Sequence, residues 1–208
     1  MRVLTTILFL LTLTSYGQDR NPIKLGLGII EIDNTLDESK IVTVYKDKNL
    51  KTKIEDFKLY GDHKRVWPYF DKPDYGLCYF ICIAKTKGYY KILFNDKEEG
   101  FLKNDSDKYF KSWESILTTT TVQRVDIKSN PLRTKPNDRS AVIDLGYQAT
   151  VDRLEAFEVV EINGENWIKV YFSKSGKDTI DRGTSDRGEG WIKWKSGEKL
   201  LVHLILLC

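Results

Sequence analysis

Histidine is nearly missing from this chain: His63 and His203 are the only two in 208 residues. Three cysteines, Cys78, Cys82 and Cys208, complete a set too small and too scattered for zinc-ligand spacing, and no CxxC occurs. No G-x-S-x-G elbow, no phosphate-cradling glycine loop and no recognisable Cys–His context is present. No catalytic residue, metal ligand or cofactor is therefore assigned, and the chain reads as non-enzymatic. Carboxylates are plentiful, which leaves only a glycosidase-type pair open. The acidic run Asp33, Asp37 and Glu38 lacks the alternate ligands, central glycine and distal glutamate of an EF-hand loop. Asp178, Asp181, Asp186 and Glu189 share a loop with Lys177, Arg182 and Arg187, which reads as a solvated loop.

Long apolar runs are scarce too. Residues 3–13 form an apolar stretch interrupted only by threonines, shorter than the roughly 18 residues of a membrane span. Arg2 precedes it, and Ser15-Tyr16-Gly17 puts small residues at the −3 and −1 positions before Gln18. That is the form of a cleaved secretory signal peptide, residues 1–17. It predicts a secreted or periplasmic protein with no membrane span after cleavage. No cysteine follows the run, so lipid attachment is not indicated. Charge of a single sign is lacking as well. Lys and Arg number 33 against 30 Asp and Glu, a mixed surface that argues against nucleic acid as a partner.

Cys78 and Cys82 sit four apart in an apparent strand, about 13 Å at roughly 3.3 Å per residue, too far to bond to each other. Either one pairing with Cys208 in an oxidising compartment, or both remaining buried thiols, stays open.

What the sequence has is strands. Residues 40–45 are β-branched and alternating, residues 50–59 give a second strand or a short irregular element, and residues 77–84 (LCYFICIA) are a near-continuous apolar run expected to be buried. Residues 89–94 and 101–102 follow across turns. Residues 105–113 are expected to form one helical turn, and residues 116–125 (ILTTTTVQRV) a strand leading straight into a second unit. There, residues 141–145 predict a short strand, and Asn163-Gly164 is the strongest hairpin signal in the chain.

One pattern occurs twice. Gly88-Tyr89-Tyr90-Lys91-Ile92 is followed by Gly100-Phe101-Leu102-Lys103, and Asn166-Trp167-Ile168-Lys169-Val170 by Gly190-Trp191-Ile192-Lys193. The second copy carries longer polar loops. The expected division is residues 18–120, with an N-terminal extension, and residues 121–208.

Leu132-Arg133-Thr134-Lys135-Pro136, Trp167-Ile168-Lys169-Val170 and Gly190-Trp191-Ile192 together resemble the bacterial Src-homology-3 domain, over about residues 122–208 and more weakly over 40–118. The resemblance implies an all-β fold of two tandem small Src-homology-3-like (SH3-like) barrels, each five-stranded and partly open. It also implies a targeting or binding module of the cell envelope that takes peptidoglycan or peptide ligands. The long 173–190 loop departs from the pattern, and no hydrolase domain accompanies it.

Strand alternation puts Ile168 and Val170 inward, with Trp167 and Lys169 outward; Tyr90 and Ile92 face in, with Tyr89 and Lys91 out. Trp167 and Tyr89 then either border a ligand groove or pack under a loop or between the barrels. Trp67, Tyr69, Phe70 and Tyr75 crowd one loop with Pro68 and Pro73, a candidate rim or a minicore. Trp194 is expected to be exposed, with Ile192 taking the core position. The candidate ligand-binding residues are Trp67, Tyr69, Tyr75, Tyr89, Trp167 and Trp194, for a wall glycan, a peptide or a protein partner. The alternative is an inhibitory or immunity-type protein that uses loop 173–190 as a wedge.

Overall fold

In the computed structural model the described residues are 22–33, 41–61, 63–72, 75, 77–145, 152–175 and 186–206. The expected signal peptide at residues 1–17, the middle of the 173–190 loop and Cys208 lie outside them. The described chain is all-β apart from one short helix.

Eight strands form the first sheet: β1 (Gly28–Ile32), β2 (Ile41–Tyr45), β3 (Lys53–Lys58), β4 (Phe70–Lys72), β5 (Leu77–Lys85), β6 (Tyr89–Phe94), β7 (Glu98–Lys103) and β8 (Lys108–Ser112). Its antiparallel path runs β3-β2-β7-β6-β5-β1-β8, with β4 beside the start of β5. β5 explains the apolar run read from the sequence. Cys78, Phe80 and Cys82 face a core with Ile30, Val42, Phe57, Ile92 and Phe94, while Tyr79 and Ile81 face a second core on the other side. A strand buried on both faces has no reason to alternate.

The second core joins the two halves of the chain. Leu93 and Ile81 of the first sheet share it with Ile168, Val170, Ile192 and Trp194 of the second. Between them lies α1 (Trp113–Thr119), whose Trp113, Ile116 and Leu117 are buried. The Trp113 ring stands 6.1 Å from that of Trp194, and its Nε1 donates to the Leu25 carbonyl at 2.8 Å. The Leu25 amide in turn donates to Glu198 at 2.6 Å. N-terminal segment, helix and second sheet thus meet at one tryptophan.

The helix corrects two expectations. Residues 108–112 are strand rather than a helical turn, because β8 pairs with β1 along its whole length. Residues 116–125 are not one strand: the helix ends at Thr119, and β9 (Thr121–Arg124) follows. The Ser112 side chain caps the helix by accepting the Ser115 N–H, and Trp113, Ile116 and Leu117 recur at helical spacing. Capping and burial outweigh the strand preference of the threonines.

The second sheet contains β9, β10 (Leu154–Ile162), β11 (Glu165–Ser173), β12 (Arg187–Ser196), β13 (Lys199–Leu200) and β14 (Val202–Ile205), in the order β13-β12-β11-β10-β9-β14. Asn163 and Gly164 both have positive φ and turn β10 back onto β11 with Ile162 opposite Glu165, a two-residue hairpin. Neither sheet closes on itself among the described residues, and the two differ in strand number and path. The strand expected at residues 141–145 is a single bridge, Val142 to Arg133.

The long connection 125–153 is anchored from inside. The Arg124 guanidinium makes two hydrogen bonds to the Asp152 carboxylate, at 2.7 and 2.8 Å, in a pair almost wholly shielded from water. It also donates to the Asn130 carbonyl. The Asn130 side chain then bonds both the N–H and the C=O of Lys193, and Arg133 pairs with Trp191 backbone to backbone. These contacts cover the edge of β12, which would otherwise offer unpaired backbone groups.

Candidate functional site

The sequence-derived candidates separate on folding. Trp194 is buried, a correction that follows from the two-residue period: residue 194 falls on the same face as Ile192. Trp167 keeps its outward phase beside Lys169, yet only 1% of it is exposed. Lys193, held by Asp138 and Glu165 at 2.6 Å each, lies 5.1 Å above its ring. It is therefore no exposed shelf. Tyr69 is buried as well, edge-on to Trp113 at 6.5 Å, and burial pushes its hydroxyl up to about 12.

Tyr89 is half-buried, with its ring edge-on to Phe101 at 5.3 Å, while Tyr90 and Ile92 face the core as expected. Trp67 and Tyr75 remain on the surface, 44% and 60% exposed. The segment under Trp67 is stitched down by two side chains. Glu55 accepts the N–H groups of Lys64, Arg65 and Val66 at 2.7–2.9 Å. Asn95 accepts from the Trp67 N–H and donates to the Arg65 carbonyl. Beneath it His63 is buried, with Nε2 3.0 Å from Asp71 but outside hydrogen-bond geometry.

Cys78 and Cys82 are buried free thiols. Burial, reinforced by Asp71, holds the Cys78 thiol well above its ordinary range, and burial pushes Cys82 up to about 11. Both stay protonated near neutrality and are poor nucleophiles. Among the described residues, no three His, Cys, Asp or Glu side chains group as metal ligands.

A recess lies on the second sheet, lined by none of the six aromatic candidates named from the sequence. It is a groove of about 510 Å³, walled by the threonines at the end of α1 and the start of β9. Its floor is Phe157 of β10, Tyr171 of β11 and Arg187 of β12, with Glu155 at its side. Phe157 owes its place to a β-bulge. Ala156 pairs with Val170 and Glu158 with Lys169, leaving Phe157 as the extra residue, and bulges re-aim side chains in this way. Its ring stacks on Tyr171 at 3.9 Å and 13°. The Arg187 guanidinium lies 3.0 Å over the same tyrosine, on a strand end fixed by its neighbours. Asp186 accepts from the Ser175 N–H and from both the Ser173 and Ser175 hydroxyls, while Gly188 sits flush against the Phe172 ring.

Sequence reasoning passed over Phe157, Tyr171 and Arg187. Phe157 and Tyr171 lie on the two strands joined by Asn163-Gly164, so hairpin pairing could have brought them near each other. The bulge that stacks them left no signal in the sequence. No protein-family model, no curated protein and no solved structure matches this chain.

Proposed function

We propose that this chain is an exported, non-enzymatic binding protein of Src-homology-3-like build, whose second-sheet groove takes a peptide. The signal-peptide form of residues 1–17 supports export. The three motif segments that carry the resemblance meet in space: Leu132 packs on Gly190, Arg133 pairs with Trp191, and β11 with Ile168 and Val170 runs beside β12. In the path β13-β12-β11-β10-β9-β14 the last strand of that half lies next to its first, which supports the resemblance.

The observation that carries the reading is the stacked trio Phe157–Tyr171–Arg187 in a groove of 510 Å³. Rigid aromatics beside backbone and hydroxyl groups suit an extended peptide. A neutral wall glycan fits less well, because stacking on sugar rings needs open aromatic faces. Both faces of Tyr171 are occupied, and Trp167 and Trp194 are buried.

The test is selection from a random display library of peptides on the mature protein, from Gln18 onward, with Tyr171→Leu as the control surface. Enrichment on the wild type that is lost on a folded Tyr171→Leu variant supports the reading. Absence of enrichment, together with co-sedimentation with insoluble peptidoglycan, would replace it with wall binding.

A further inference from the structure

Several cations of the second sheet have carboxylate partners. Lys169 pairs with Glu189 at 2.9 Å, Lys193 with Asp138 and Glu165, and Arg124 with Asp152. Arg187 has no carboxylate partner among the described residues. Its Nε is shielded from solvent with no hydrogen-bond acceptor among the described residues, whereas its Nη atoms are not among the shielded ones. The Nη donors of a guanidinium that lines the groove are the ones a ligand acceptor can reach. The guanidinium carbon lies 3.0 Å from the centroid of the Tyr171 ring, on which Phe157 also stacks.

A flat guanidinium presents its donors as a fork matching the two oxygens of a carboxylate. We propose that this groove recognises a carboxylate on its peptide ligand, received by the Arg187 guanidinium. The proposal rests on the peptide-binding reading above and adds the chemistry of the ligand. The carboxylate comes either from a peptide C-terminus or from an acidic side chain.

Two matched probe pairs separate these sources: N-acetyl-Gly-Phe with a free carboxylate or as its amide, and N-acetyl-Glu-Phe-amide against N-acetyl-Gln-Phe-amide. Each is titrated into the ¹⁵N-labelled mature protein, following the Arg187 Nε–H signal and the backbone amides of Thr120, Phe157 and Tyr171. The acid of at least one pair is expected to bind at least tenfold tighter than its neutral partner and to move the Nε–H signal. Arg187→Gln, with an otherwise unchanged amide spectrum, is expected to abolish that preference, and Arg187→Lys to restore only part of it. Equal binding of acid and neutral probes, with groove amides still shifting, overturns carboxylate recognition and leaves peptide binding in place. A preference that survives in Arg187→Gln also overturns it. Absence of any groove shift with all four probes overturns both.

Discussion

Leu132 lies directly against the backbone of Gly190: a Cβ on that glycine would stand 2.7 Å from Leu132 Cδ1 and 3.1 Å from Ile143 Cδ1. Glycine there lets the 125–153 connection seat an apolar side chain in the shared core, where Leu132 is 1% exposed. Gly190→Ala is expected to cost about 1–3 kcal/mol through overpacking, measured as a lower chemical-denaturation midpoint with unchanged slope. A variant as stable as the wild type would contradict this packing.

The tryptophans separate burial from exposure most sharply. Trp194→Ala and Trp167→Ala are each expected to lose roughly 3–5 kcal/mol, as for large-to-small core changes. Trp67→Ala, 44% exposed, is expected to stay within about 1 kcal/mol of the wild type. Trp167→Phe is expected to be milder than Trp167→Ala, since the Trp167 Nε1 has no hydrogen-bond partner to lose. Urea denaturation of the four variants checks the order, and equal losses at positions 67 and 167 would refute it.

Much of the strand pattern was legible. Alternation marked Tyr90 and Ile92 as inward, and Asn163-Gly164 fixed a hairpin whose register the structure repeats. The helix at Trp113–Thr119 was hidden because threonine-rich sequence favours strand until the Ser112 cap and the burial of Ile116 and Leu117 are counted. Trp194 was misplaced although the two-residue rule sufficed to bury it. For Trp167 the sequence left groove border and packing under cover both open; its phase is outward, and its cover comes from Lys193 and the distant Asp138, which strand alternation does not show. The groove itself depends on a bulge and on pairing between segments far apart, and neither is a local property of the sequence.

The anchoring of the Trp67 segment is sensitive to acid. Burial pushes the Glu55 carboxyl up, but the N–H groups of Lys64, Val66 and Arg65 together outweigh it, with His63 adding to them, and the net pKa falls below the ordinary glutamate value. A lowered folded-state pKa contributes stability above the unfolded value, near 4.3, which is lost as pH falls through the folded one. Glu55→Gln is expected to destabilise by about 1 kcal/mol at pH 7, with solvent screening keeping the loss modest. It is also expected to flatten the pH dependence below about pH 5. Thermal melts between pH 3 and 7 measure both, and an unchanged acid limb in the variant would contradict the assignment.

The protonated, buried state of Cys78 and Cys82 is expected to make them silent to a thiol reagent in the folded protein. In a Cys208→Ser background at pH 8, neither is expected to react over an hour, and both at once on unfolding. Rapid native labelling of either thiol would contradict its burial.

The most direct test of the account is the affinity of the mature wild type and of folded Tyr171→Leu for one peptide selected on the wild type, measured by calorimetry. The groove reading predicts at least a tenfold loss in the variant, about 1.4 kcal/mol, with a matching loss in Phe157→Ala and no change in Trp67→Ala. Equal affinity in wild type and Tyr171→Leu, or a loss confined to Trp67→Ala, would place binding elsewhere on the molecule.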